Sequence, residues 1–257
     1  MAGPTTIRSD SSVFDGENLD EWALVSAVAL GGEPGVVVDV GAFYGGQLRG
    51  FARSGWRVIA IEPDPAKHAK LDTLAASHPG VTVHKCAIGE APSDDAVLFS
   101  SEESAGISSL SAFRATHTEC ARVPVRRLDA LIDTATAQQT RVLKVDAEGH
   151  DLFVLRSWDW AAGTPDLVVA EFEDRKSVPL GYSAADLGGF LLERGLRVFR
   201  SEWAPIERYG VRHRWRRITR YTGGEDLVDD DAWGNYIGAR DDATIDAVVE
   251  SLGPSLA

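Results

Sequence analysis

The run Val36-Val37-Val38-Asp39-Val40-Gly41-Ala42-Phe43-Tyr44-Gly45-Gly46 constrains the fold more than any other stretch of this chain. Its unbroken apolar start suits a strand buried on both faces, as in a parallel sheet covered by helices. The strand runs into an acid and then a loop punctuated by glycine. Gly41 and Gly45 allow the backbone to turn tightly and to approach a ligand without a Cβ in the way. The spacing is D-x-G-x-x-x-G, which departs from the G-x-G-x-x-G of dinucleotide-binding loops. An acid at Asp39 repels a pyrophosphate and favours a ligand with a cationic end.

A second buried strand follows at Trp56-Arg57-Val58-Ile59-Ala60-Ile61 and ends in Glu62-Pro63. An acid at the tip of the strand after a glycine loop can accept hydrogen bonds from both hydroxyls of a ribose. Glu62 lies about 20 residues beyond the loop, the spacing of a βαβ unit. Nicotinamide enzymes use the same device, so Glu62 points to an adenosine ligand without choosing the cofactor. Asp39 tips the choice toward S-adenosylmethionine (SAM), which carries a sulfonium, an ammonium and no phosphate.

The rest of the chain alternates in the same manner. Residues 1 to about 15 read as irregular. A helix over 17–30 ends at Gly31-Gly32-Glu33-Pro34-Gly35, and helices are expected over 47–54 and 65–77. Val81 to Ile88 reads as a third strand. Short strands at 96–98 and 122–125 flank a polar excursion over 100–119, and a short helix follows at 127–134. Strands at 142–146 and 167–171 enclose a helix, and a helix over 184–194 precedes strands at 196–199 and 235–239. This pattern predicts an α/β fold with an open, mostly parallel, Rossmann-like sheet and helices on both faces. At 257 residues, with no linker or repeat, one domain is expected. It carries an N-terminal helical extension to about residue 34 and a lid or acceptor region at about 203–233.

A formal charge of −13 argues against a nucleic-acid partner, which needs a basic footprint. Cys86 and Cys120 are too few for a disulfide scaffold or a cysteine-rich zinc site. No secretory leader and no membrane-spanning run is apparent, so a cytoplasmic protein with no membrane partner is expected.

Ligands in such sheets bind beyond the carboxyl ends of the strands, and Asp39, Glu62, Asp146 and Glu171 all fall there. This acidic rim suits a cationic cofactor and proton abstraction. In Leu143-Lys144-Val145-Asp146-Ala147-Glu148-Gly149-His150-Asp151, two-residue alternation puts Lys144 and Asp146 on one face. Lys144 therefore reads as the partner of a carboxylate. His150 is the natural general base, since imidazole titrates near neutrality.

Val38-Asp39-Val40-Gly41-Ala42, Ile61-Glu62-Pro63, the segment 143–151 and Ser108-Ser109-Leu110 together resemble the FkbM family of SAM-dependent methyltransferases. The resemblance covers about 36–173. It implies a class I methyltransferase sheet and methylation of an alcohol, often on a sugar or natural product. By position it implies SAM binding at Asp39, Gly41 and Glu62, and an active-site strand end at Asp146 and His150. Gly45, Ala87 and Asp146 complete the expected cofactor set. Phe43 departs from the family, which commonly has asparagine there.

The expected activity is thus SAM-dependent O-methylation of a small hydroxylated acceptor, with His150 removing the proton and Asp146 positioning the acceptor hydroxyl or the imidazolium. A nicotinamide-dependent oxidoreductase and a non-catalytic SAM-binding domain are the alternatives. A divalent cation such as Mg²⁺ on Asp146, Glu148, Glu171 and Glu173 is a second way to activate the hydroxyl. In the lid region, Arg208, Arg212, Arg214, Arg216, Arg217 and Arg220 interleave with Tyr209, Trp215 and Tyr221. They read either as an acceptor clamp or as a surface hairpin paired with the aspartates that follow.

Overall fold

The computed structural model describes residues 17–209, 211 and 213–252. The irregular stretch expected at 1–15, and Arg212 of the expected clamp, lie outside them. The strands are β1 (Val36–Val40), β2 (Arg57–Ile61), β3 (Val81–His84), β4 (Ala87–Ile88), β5 (Ser93–Ser101), β6 (Ser104–Ser109), β7 (His117–Arg126), β8 (Thr140–Val145), β9 (Leu167–Glu173), β10 (Arg197–Trp203), β11 (Trp215–Tyr221) and β12 (Trp233–Ala239). The helices are α1 (Glu21–Leu30), α2 (Arg49–Arg53), α3 (Pro65–Ser77), α4 (Leu128–Leu131), α5 (Thr134–Gln139), α6 (Asp151–Arg156), α7 (Asp174–Ser177), α8 (Ala184–Glu193) and α9 (Asp242–Leu252).

The main sheet has the order β11-β10-β12-β9-β8-β1-β2-β3. β3, β2, β1, β8 and β9 are mutually parallel, while β12, β10 and β11 are joined by antiparallel pairings. Strand order reverses between β1 and β8, which opens a crevice at the carboxyl ends of these strands, where ligands of such sheets bind. Helices cover both faces, so alternate residues of one strand enter different cores. Val36, Val38 and Val40 join Leu143, Val145, Leu152, Leu155 and Leu187 on one face. Val37 joins Leu24, Val25, Phe51, Leu71 and Val248 on the other. Local signals set the helix ends: Asp20 caps α1, Asp64 followed by Pro65 starts α3, and a Ser183–Asp186 capping box starts α8.

The α/β reading holds, with two corrections. The expected strand 81–88 divides into β3 and β4, and β4 belongs to a second sheet ordered β4-β7-β5-β6. The polar excursion is part of that sheet: β5 and β7 are long, β6 lies between them in the chain, and Leu98, Val123 and Val125 make a small core. The expected lid is in its middle the edge strand β11, antiparallel to β10.

Candidate active site

A cavity of about 520 Å³ opens at the reversal point, walled by the β1 loop, the end of β2, β4, Ser108 to Leu110, and the exit of β8. Its volume falls in the range of small-molecule and cofactor sites. Glu62 lies on its wall, almost fully buried. One carboxylate oxygen accepts from the Phe43 amide (2.8 Å), the other from the Asp64 amide (2.9 Å). Glu62 thus ties the glycine loop to the end of β2. Burial pushes its pKa up, against the pull of Lys67 and the two amides.

Gly41, Ala87 and Asp146 also face the cavity; Gly45 and Asp39 do not. Gly41 has φ of 80°, and a Cβ there would run into the Asp146 carbonyl oxygen, so this glycine lets the ends of β1 and β8 approach. Gly45, at φ 69°, turns its Cα toward Leu71 and Leu74 of α3, while Gly46 lines the cavity in its place. Asp39 is 1 % exposed and sits opposite Lys144 in the β1–β8 register, with Nζ 3.0 Å from Oδ1. Its charge is balanced inside the protein and does not act as a bare attraction for a ligand. Lys144 also reaches the Gly41 carbonyl (3.4 Å) and Asp146 (3.5 Å), locking the two strand ends together.

The β8 exit is built by its own hydrogen bonds. Asp151 accepts from the amides of Ala147 (3.0 Å) and Gly149 (3.1 Å), and burial raises its pKa to about 6. Ser109 donates to the Glu148 carbonyl (2.9 Å) and Tyr182 to the Gly149 carbonyl (2.7 Å). Glu148 and His150 both line the cavity. His150 Nε2 is bonded to the Ser111 hydroxyl at 2.9 Å, not to Asp146, and burial lowers its pKa to about 4. Of the two partners expected for Asp146, the acceptor hydroxyl and the imidazolium, the second is not met: Asp146 pairs with Lys144, and His150 with Ser111.

Lys176 went unnoticed in the sequence. Its ammonium lies 2.6 Å from Glu148, 2.9 Å from Glu171 and 3.0 Å from Glu173, fully within the protein. Burial alone would depress its pKa; the three carboxylates hold it well up. The oxygens of Asp146, Glu148 and Glu171 do come within 4.8 Å of one another. The expected Mg²⁺ cluster nevertheless already contains a cation, the ammonium, and a metal would have to displace it.

None of the described residues of the 203–233 region lines the cavity. Arg216 pairs with Asp229 (3.5 Å), Arg217 with Glu202, and the Trp215 indole donates to Ser201 (3.0 Å). These side chains fasten an edge strand. Lys67, also missed, extends over the Phe43 ring and pairs with Asp64 (3.4 Å), Glu62 (3.8 Å) and Ser108 (3.2 Å) at the cavity wall.

A model of the methyltransferase FkbM domain matches residues 39–198, more than half of the chain. The chain belongs to the FkbM methyltransferase family. No curated protein matches its sequence. Among solved structures it is similar to a precorrin-6y C5,15-methyltransferase from Geobacter metallireducens, with 11 % identity over 85 % of this chain and 86 % of that one and a TM-score of 0.42. It is also similar to the C-terminal domain of a precorrin-6Y C5,15-methyltransferase from Rhodobacter capsulatus (15 % identity, 86 % and 88 % covered, TM-score 0.42). A third is the 1,6-didemethyltoxoflavin-N1-methyltransferase of Burkholderia thailandensis, solved with S-adenosylhomocysteine (SAH) (15 %, 86 % and 78 %, TM-score 0.39).

The FkbM enzyme is a SAM-dependent methyltransferase, and the nicotinamide reading falls away. Its cavity fits a phosphate-free cofactor. The two lysines on the wall, Lys67 and Lys144, are both matched with carboxylates and leave no spare cation for a phosphate. Each Glu62 oxygen accepts one amide and keeps a second lone pair for a ribose hydroxyl. Cys86, Ala87, Ile88 and Leu98 supply an apolar wall for a base. Among the described residues no helix is long and apolar enough to cross a membrane.

Proposed function

We propose that this FkbM enzyme, acting as one catalytic domain, methylates a hydroxyl of a small polar acceptor such as a sugar or another natural product. The carrying observation is the concentration of proton-accepting groups, Asp146, Glu148 and His150, on one wall of the cavity. An alcohol is a poor nucleophile until its proton is taken. A neutral amine attacks before it loses one, and needs no such wall. When bound, SAM supplies a methyl group on a positively charged sulfur. Glu62 and the Gly41 loop hold the cofactor, and Asp146, at the strand end that touches Gly41, stands between cofactor and acceptor regions. His150 stays neutral at physiological pH, with Ser111 fixing its Nε2, and orients the acceptor through its other nitrogen. Placement of the two reactants then accounts for much of the rate.

The test is methylation by purified protein of matched hydroxyl, amine and activated-carbon acceptors, with product structure read by NMR. A methyl ether is expected. Transfer only to nitrogen or carbon overturns the hydroxyl reading, and SAM binding without transfer to any of the three favours a non-catalytic domain.

A further inference from the structure

We infer that Glu148 is the catalytic residue that receives the acceptor's proton during methyl transfer, and that Lys176 is the positioning residue that holds its carboxylate. The inference rests on the hydroxyl-acceptor reading above and names the base within that site.

Geometry comes first. Of the three carboxylates around Lys176, Glu148 lines the cavity, whereas Glu171 and Glu173 do not. Glu148 has φ of 51°, a conformation that residues with a Cβ rarely adopt and that persists only where the surroundings impose it. The surroundings do so. Ser109 grips its carbonyl, Asp151 grips the amides immediately before and after it in the turn (Ala147 and Gly149), and Tyr182 grips the Gly149 carbonyl. Gly149, at φ 94°, presses so closely on Lys176 that a Cβ would lie 2.7 Å from that residue's own Cβ. The turn and α7 are thereby held together, and a buried oxygen of the Glu148 carboxylate meets the Lys176 ammonium behind the cavity wall.

The electrostatics agree. Glu148 interacts with Lys176 of α7, with Asp146 at the β8 exit, with Asp151 of α6, with Glu171 of β9 and with Tyr209, while Glu173 of β9 shares Lys176. Lys176, together with Lys144 on Asp146 and Arg175 on Glu173, still leaves more carboxylates than cations around Glu148. Burial, and then Asp146, push the Glu148 pKa up to about 7 against the pull of Lys176. A base near the working pH combines ionisation with proton affinity. His150, driven down to about 4 and engaged with Ser111, is the weaker base.

In the step itself the acceptor oxygen bonds to the methyl carbon as the carbon–sulfur bond breaks and its electron pair returns to sulfur. The hydroxyl proton passes to the Glu148 carboxylate and then to solvent. Charge balances: the positive charge lost by the sulfonium leaves as that proton.

Two measurements on the full chain test this. The first titrates δ-¹³C-glutamate-labelled protein, wild type against Glu148→Gln, by NMR. A carboxyl resonance with a midpoint of about 7 that vanishes in the variant is expected, and it should move to higher pH in Lys176→Met. A Glu148 midpoint below about 5, the ordinary carboxylate range, overturns the inference. The second follows single-turnover transfer from labelled SAM to a panel of methyl glycosides and simple phenols. Wild-type rate should rise with pH through about 7, and Glu148→Gln should lose about 10²–10⁴ in rate while its affinity for SAH is kept. Wild-type rate and pH profile in Glu148→Gln overturn the inference. A wild-type protein that binds SAH but methylates none of the panel counts against the hydroxyl reading, and the titration still decides whether Glu148 is the poised group.

Discussion

Asp39 and Lys144 form a buried ion pair at the hinge between the cofactor loop and the β8 exit, and separating their contributions decides whether Asp39 serves the ligand or the fold. Asp39 is 1 % and Lys144 8 % exposed. Removing one partner of such a pair costs roughly 3–5 kcal/mol, because the other charge is left in the interior. In Asp39→Asn the ammonium keeps Asp146 at 3.5 Å and the Gly41 carbonyl at 3.4 Å, so the cost belongs near the low end, about 3 kcal/mol. At about 2–4 °C per kcal/mol for a chain of this size, Tm falls by roughly 6–12 °C. In Lys144→Met the lone Asp39 takes up a proton instead of remaining charged. Burial already holds the Asp39 pKa above its ordinary value even with Lys144 present, and removing the lysine raises it further. The folded state then binds more protons than the unfolded one. The loss in Lys144→Met is therefore small below the unfolded carboxylate value of about 4 and grows as pH rises through the folded value. The double variant should recover much of the loss, since a neutral pair of similar volume needs no desolvated charge. Urea denaturation of the four proteins at pH 5 and pH 8 gives the full cycle. Independent single losses, with no coupling and no pH dependence, would refute the pairing as the reason for Asp39.

Three further outcomes follow from the cavity wall. Glu62→Gln should weaken SAH binding by about 1.5–3 kcal/mol, the scale of hydrogen bonds to a charged group; calorimetric titration showing unchanged affinity would remove Glu62 from the cofactor site. Gly41→Ala should fail to accumulate as folded protein, because its Cβ would run into the Asp146 carbonyl at a φ of 80°, and soluble expression with a cooperative melt near that of wild type contradicts this. Methyl transfer should be indifferent to EDTA, since Lys176 already supplies the cation among Glu148, Glu171 and Glu173. Loss of rate with EDTA and recovery with Mg²⁺ would show that a metal displaces the ammonium.

The main sheet was legible because burial on both faces leaves a strong mark: β1, β2, β8 and β9 are largely apolar runs with an acid in or next to their last residues. The second sheet was not. β5 and β7 carry serine, aspartates and glutamate on exposed positions, and among the described residues the second sheet's core is small, built around Leu98, Val123, Val125 and Ala87. So thin an apolar stripe reads as a polar loop. α9 was missed although Asp241 caps it through the Thr244 amide and Ile245 and Val248 lie on its buried side. The 203–233 region reads either as an acceptor clamp or as a paired surface hairpin, because its arginines and aromatics look like a binding surface. An edge strand with many charged side chains has the same composition for a different reason: charges discourage pairing with another chain.

In the site, placement at a strand end was readable, and pairing with a distant residue was not. Glu62 follows β2 after a glycine loop, and that position alone is the basis for expecting it at a ribose. Lys144 invited a carboxylate partner, but the register that places Asp39 opposite it comes from pairing strands more than a hundred residues apart. Lys176 sits in Glu173-Asp174-Arg175-Lys176, which reads as the solvated face of a short helix. Burial turns it into the counter-ion of three glutamates from two strand ends. His150 shows the converse. Its intrinsic pKa makes it the obvious base in a sequence, yet the same burial that brings it to the cavity wall lowers its proton affinity while raising that of Glu148. Desolvation disfavours whichever form is charged. A cavity dry enough for methyl transfer therefore weakens an imidazole base and strengthens a carboxylate, and the choice between His150 and Glu148 is made by the dielectric of the folded site.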